Sequence, residues 1–234
     1  MEPIIKVDNV SMCFNLSTEK HESLKEYLLA MVQGRLQYDE FYALRDVSLD
    51  IMPGDFYGLV GLNGSGKSTV LKGLTRLLDY RRGAVYLDGR GLKEFTAKEL
   101  ARHIGVLPQV HSAPPDFQVR DLVGYGRVPH QKWYARHSEE DEKIIDWAMQ
   151  ATGVWPLRDK SINECSGGES QRVWIATVLT QQPEILFLDE PTNDLDIETL
   201  MILEEYLEHF NGAVVAVSHD RYFLNKVCTH IADI

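Results

Sequence analysis

One run of residues constrains this chain more than any other: Gly61-Leu-Asn-Gly-Ser-Gly-Lys-Ser-Thr69. It follows the apolar stretch Asp55–Val60 and leads into Val70-Leu-Lys72, so the spacing G-x4-G-K-[ST] falls between an expected strand and an expected helix, the context a phosphate loop requires. Gly61, Gly64 and Gly66 let the backbone turn, so that N–H groups along Asn63, Ser65 and Thr69 point inward at phosphate oxygens, and the helix adds its positive end. Lys67 is placed to reach the β and γ phosphates, and the Ser68 hydroxyl to ligate Mg²⁺. A dinucleotide fingerprint does not fit, because the glycines at 61, 64 and 66 have the reverse of its G-x-G-x-x-G spacing.

A second site feature ends another apolar run, Ile185-Leu-Phe-Leu-Asp189-Glu190. Open α/β sheets place their sites at the carboxyl ends of strands. Phosphoryl transfer to water needs one carboxylate in the Mg²⁺ shell and another to orient or deprotonate the water. Asp189 takes the first role and Glu190 the second.

Short β-type runs alternate with helical ones, which implies an α/β fold with a largely parallel sheet. The clearest strands are Asp55–Val60, Ile185–Leu188 and Ala213–Val217, nearly continuous in apolar residues as expected of strands covered on both faces. Leu200, Leu203, Leu207 and Phe210 predict a helix ended by Gly212. Ser138 reads as an N-cap with acids in the first turn. An amphipathic helix is expected within 15–40, inserted between two early strands, and a mainly helical segment within 110–164.

The chain has 234 residues, enough for one sizeable core or a core with a small subdomain. Its 24 basic and 35 acidic residues leave a net charge of −11, which argues against direct nucleic-acid binding. Cys13, Cys165 and Cys228 form no CxxC pair, so a zinc ribbon or redox dithiol is not expected and a reducing compartment fits. The amino-terminal stretch is polar and acidic, unlike a signal peptide, and no run of 18 apolar residues occurs. None of the eight histidines is spaced as a metal pair.

Ser166-Gly-Gly-Glu169, shortly before Asp189, resembles the signature of ATP-binding-cassette (ABC) ATPases, and the resemblance extends over essentially the whole chain. It implies a P-loop NTPase of the ABC nucleotide-binding type: a mainly parallel core sheet, an amino-terminal antiparallel β part, a RecA-like core of about 1–109 and 165–234, and a helical subdomain of about 110–164. It further implies ATP and Mg²⁺ as ligands. Gln109 then matches the Q-loop glutamine that touches Mg²⁺. Asn193-Asp-Leu-Asp196 matches the D-loop, His219 the switch histidine, and Phe14 the aromatic that stacks on adenine, with Tyr38, Phe41 and Tyr42 as rivals. Ser166, Gly167 and Gly168 open a helix and offer backbone N–H groups to an anion. In the family that anion is the γ-phosphate of a partner, which implies a head-to-tail homodimer.

Three subfamilies share the resemblance. Residues 1–60 are similar to polysaccharide-exporter ATPases. Residues 95–160 resemble the ATPase subunits of ferric-siderophore and metal-chelate importers, and residues 185–230 resemble ABC-F ribosome-associated ATPases. The importer reading implies transport-coupled ATP hydrolysis, a transmembrane partner subunit, and a cytoplasmic location on the inner face of the membrane. The face around Val123–Arg127 and His130–Trp133 is expected to be exposed, mixed aromatic and basic, and to dock that partner. In the ABC-F reading the partner is instead the ribosome.

Overall fold

The computed structural model describes residues 2–17, 38–61, 65–110, 112–114, 116–132, 137–193 and 196–233, with no side chains described between 15 and 40. The helix expected within 15–40 therefore lies outside the described residues.

Two sheets organise the chain. The amino-terminal part is antiparallel: β1 (Ile5–Ser17) pairs with β2 (Tyr38–Ile51) on one side and β4 (Arg82–Leu87) on the other, and β5 (Arg90–Gly91) closes the edge. The second sheet is parallel and five-stranded. Its order is β6 (Ile104–Leu107), β7 (Ile185–Asp189), β8 (Ala213–Val217), β3 (Phe56–Val60), β9 (His230–Asp233). The expected α/β class, with a parallel core sheet and an antiparallel amino-terminal part, is what the chain adopts.

The reason the strands of the parallel sheet read as unbroken apolar runs is visible in their packing. Every residue of β7 and β8 is buried. Ile185, Phe187, Ala213, Val215 and Val217 face a core shared with the antiparallel sheet. Leu186, Leu188, Val214 and Ala216 face a second core lined by helices. The period-2 alternation of side chains thus separates two apolar layers, and neither face needs polar residues.

Helix α1 (Lys67–Leu74) follows β3 and α2 (Ala97–His103) precedes β6. Between β6 and β7 come α3 (Val119–Gly124), a 3-10 turn over Tyr125–His130, α4 (Glu139–Ala151), two further 3-10 turns and α5 (Gly167–Gln181). Helices α6 (Ile197–Glu208) and α7 (Arg221–Val227) flank β8. Ser138 caps α4 in a reciprocal capping box with Asp141, as its sequence predicts. Helix α6 stops at Glu208 with His209 as its C-cap, short of Phe210 and Gly212. Among the described residues, no helix is long and apolar enough to cross a membrane.

Candidate nucleotide site

Strand order decides what meets at the site. In the parallel sheet β7 and β3 both neighbour β8. The loop after β3, the acidic end of β7 and the turn after β8 therefore emerge side by side. They border a cleft of about 480 Å³ lined by Phe14, Phe41, Ala43, Ser65, Gly66, Lys67, Ser68, Thr69, Gln109, Glu190, Asn193 and His219. Asn63 and Gly64 lie outside the described residues.

The phosphate loop enters α1 through Gly66, whose φ of +99° favours glycine. A Cβ there would also stand 2.5 Å from the Ala43 carbonyl oxygen on β2, so the loop is drawn tightly under the antiparallel sheet. Lys67 is 6% exposed and its Nζ donates to the Gly61 carbonyl at 2.6 Å. The Ser68 hydroxyl donates to Asp189 Oδ1 at 2.8 Å, which places one hydroxyl and one carboxylate side by side. Ser65 Oγ is buried and lacks a hydrogen-bond partner among the described residues. A buried orphan hydroxyl is costly unless a ligand satisfies it.

Glu190 follows β7 with φ +50°, a left-handed conformation uncommon for residues other than glycine. Two hydrogen bonds hold it there: its N–H donates to the Val217 carbonyl (2.7 Å), and Asn193 N–H donates to its own carbonyl (3.2 Å). The side chain is 7% exposed. It accepts from the His219 backbone N–H at 3.1 Å, and its other oxygen lies 3.0 Å from His219 Nε2. The hydroxyls of Thr192 and Ser218, 3.1 Å apart, tie together the two turns carrying this pair. Glu190 and His219, 29 positions apart, are thereby fixed as one unit.

Phe14 and Phe41 stand directly opposite each other on β1 and β2 and both line the cleft. Tyr42 holds Arg45 over its ring instead, and the Tyr38 side chain lies outside the described residues. Asn193 and Ala43 complete the lining without having been singled out as ligands. Asn193 begins a motif already noted, whereas nothing in the sequence marks Ala43.

The signature turn does not line this cleft. Ser166 caps α5 in a reciprocal box with Glu169, and Gly167 and Gly168 form the first turn. Asp196 caps α6, accepting from Thr199 N–H at 2.7 Å, and its Oδ2 lies 2.7 Å from where a Cβ on Gly168 would stand. Ser166, Gly167, Gly168 and Asp196 therefore form a second cluster, apart from the first.

Residues 44–193, well over half of the chain, match the ABC transporter family. The chain belongs to that family. This cassette is 42% identical over 202 residues to the ferric enterobactin transport ATP-binding protein FepC of Escherichia coli (strain K12), covering 85% of this chain and 73% of that protein. It is 38% identical over 196 residues to the iron(3+)-hydroxamate import ATP-binding protein FhuC of Bacillus subtilis (strain 168), covering 82% and 73%. In structure it resembles a dimeric ATP-binding cassette in a post-hydrolysis state bound to ADP and Pi, with TM-score 0.76, 26% identity and coverage of 98% and 94%. The cassette is an ATP-binding ATPase domain of the P-loop class.

The expected docking face is not exposed as its sequence reading has it, since Val123, Gly124, Gly126 and Arg127 are all buried. Tyr125 is exposed, but Arg127 is only 7% exposed. Its Nε donates to Asp141 Oδ1 at 2.7 Å, and its Nη1 donates to the Thr180 carbonyl at 2.9 Å and to Gln182 Oε1 at 3.1 Å. Arg127 is thus a buried tie between α4 and the carboxyl end of α5. Gly126 explains why the chain comes so close: a Cβ there would meet the Thr177 carbonyl oxygen at 2.2 Å. Beside this tie opens a groove of about 490 Å³ lined by Asp116, Phe117, Asp121, Gly124, Tyr125, Val128 and His137. Its lining is aromatic and acidic, while the basic residues of the expected face, His130 and Lys132, are exposed outside it. Trp133 lies outside the described residues.

Proposed function

We propose that this cassette energises import of a ferric siderophore or related metal chelate, hydrolysing ATP as a head-to-tail pair beneath a transmembrane subunit at the inner face of the membrane. The observation that carries the substrate class is the set of importer subunits, FepC and FhuC among them, to which most of the chain is 38–42% identical.

In this reading the adenine packs against Phe14 or Phe41, and the phosphates lie over Gly61, Ser65, Gly66 and Thr69. Lys67 exchanges the Gly61 carbonyl for β- and γ-phosphate oxygens. The donor set at Ser68, Asp189 and Gln109 is all oxygen and hard, which fits Mg²⁺. When bound, the ion would neutralise charge on the transferring phosphoryl group. Glu190 polarises the attacking water, and His219 holds the carboxylate in position and contacts the γ-phosphate. Ser166, Gly167, Gly168 and Asp196 close over the nucleotide of the partner protomer. The segment 110–164 behaves as a helical subdomain whose groove beside Tyr125 receives a helix of the transmembrane subunit.

Isolation of the tagged cassette from cells with its bound proteins tests this assignment. A co-purifying membrane subunit, together with ferric-siderophore uptake lost on deletion and restored by the wild-type gene, is the expected result. Co-sedimentation with ribosomes and unchanged uptake would overturn it.

A further inference from the structure

Three segments bring metal-ligating side chains together far from the cleft. Asp88 lies in the turn between β4 and β5, His103 ends α2, and Glu184 directly precedes β7. One ligand atom from each lies within 4.8 Å of the other two, and His103 Nδ1 is 2.8 Å from Glu184 Oε2. From this geometry we propose that Asp88, His103 and Glu184 form a binding site for a divalent first-row transition ion of the Zn²⁺ type.

The backbone fixes all three. Asp88 N–H donates to the Ile4 carbonyl (3.0 Å), Glu184 N–H to the His103 carbonyl (2.9 Å), and Ala213 N–H to the Glu184 carbonyl (3.0 Å). The His103 ring also packs edge-on against Phe95. A hydrogen bond between His103 and Glu184 needs no third group, yet Asp88 brings a second carboxylate into the same small volume of a chain already at −11. Two adjacent carboxylates repel, and a divalent cation offsets both charges. Ligand bonds of roughly 2.0–2.2 Å set donor atoms roughly 3–3.5 Å apart. The His103–Glu184 pair, at a hydrogen-bond distance of 2.8 Å, widens slightly to reach that spacing as the ion replaces the shared proton, and rotation of the exposed Asp88 side chain closes the third position. One imidazole and two carboxylates favour Zn²⁺-type ions over Mg²⁺, which prefers all-oxygen shells. His103 and Glu184 are 32% and 56% exposed at the side chain, which leaves room for water in the remaining positions.

His103 and Glu184 sit at the amino ends of neighbouring parallel strands, whereas the nucleotide cleft opens at the carboxyl ends. The ion therefore occupies no nucleotide position. It joins a turn of the antiparallel sheet to the β6–β7 edge of the parallel sheet, and its loading stabilises the contact between the two.

Calorimetric titration of the full chain with ZnCl₂ in excess MgCl₂, without nucleotide, tests the site, with Co²⁺ absorption reporting ligand number. Binding of one equivalent at micromolar Zn²⁺ is expected. At 100-fold excess over Kd it should raise Tm by about 5–10 °C. Asp88→Asn, which retains a residue tolerant of the left-handed φ of +48°, and His103→Gln should each weaken binding at least about 10-fold while nucleotide binding persists. Should His103→Gln fail to fold, Asp88→Asn alone decides. Millimolar affinity in the wild type, or unchanged affinity in Asp88→Asn, would overturn the proposal.

Discussion

The two regions proposed to hold phosphate in this cassette are built alike and finished differently. Each is a glycine-containing turn opening a helix, α1 after Gly66 and α5 after Ser166. Around the first, the fold assembles a complete set of partners: Lys67, Ser68 beside Asp189, and Glu190 beside His219, with all but Asp189 among the residues lining one cleft. Around the second it supplies only the cap, the glycines and Asp196, and none of these lines that cleft. The difference fits the proposed reading, in which the chain holds a whole catalytic half and a separate, exposed binding half that a head-to-tail pair would bring together.

The sharpest way to break this comparison is to remove the proposed base. Glu190→Gln keeps size and most hydrogen bonding but cannot accept a proton, so turnover should fall by about 10²-fold or more with MgATP affinity unchanged. Steady-state phosphate release alongside equilibrium nucleotide binding measures both. Near-normal hydrolysis would remove Glu190 from the chemistry. Lys67→Ala acts on the same half in the other way, since its charge-assisted contacts exist in every bound state. Its loss should weaken ATP binding by roughly 10–100-fold, and equal affinity would show that the ammonium stays on the Gly61 carbonyl when nucleotide is present.

The second half is tested by assembly. In a Glu190→Gln background, ATP should drive dimerisation, because in the proposed head-to-tail pair the γ-phosphate is shared between Lys67 of one protomer and Ser166 of the other. Ser166→Arg fills the anion position and should weaken that dimer by at least about 10-fold, leaving monomeric ATP binding intact. Sedimentation with and without ATP separates the two outcomes. A dimer that survives the substitution would refute the division into halves.

How much was legible in the sequence follows the same line. The phosphate loop and the acidic end of β7 are local: their chemistry is written in adjacent residues, and the apolar runs beside them fix the strands. The Glu190–His219 contact could be expected only through the resemblance, since nothing at either position reports the φ of +50° that aims the carboxylate. Arg127 was read as an exposed cation because a single basic residue beside Tyr125 carries no sign of its partner. That partner, Asp141, was equally hidden inside an acidic helix start. The cluster of Asp88, His103 and Glu184 has no sequence spacing at all, because three separate segments supply it. The expected helix within 15–40 lies beyond what the structure describes.

The smallest expected effect concerns the tie that holds the signature helix. Burial alone would raise the Asp141 pKa. The Ser138 backbone N–H, the Arg127 guanidinium and the Ser138 hydroxyl outweigh it and hold the carboxyl at about 2, down from 3.8. A lowered folded-state pKa contributes stability that is fully present above the unfolded value and is lost as pH falls from about 5 through 3.8 toward 2. By pH 3 that single group should cost about 1 kcal/mol of folding stability. Hydrogen bonds from Thr96, Ser166 and Thr199 likewise hold the Glu99, Glu169 and Asp196 carboxyls below their usual values, so the informative quantity is a difference. Urea unfolding of wild type and Asp141→Asn at pH 6 and pH 3 isolates it. The variant should be less stable at both values, because Arg127 loses its counter-charge in a buried place, yet it should lose about 1 kcal/mol less than wild type on acidification. Parallel losses would mean that Arg127 and Asp141 do not form the tie between α4 and the carboxyl end of α5, and that the proposed binding half is oriented by packing around Gly126 alone.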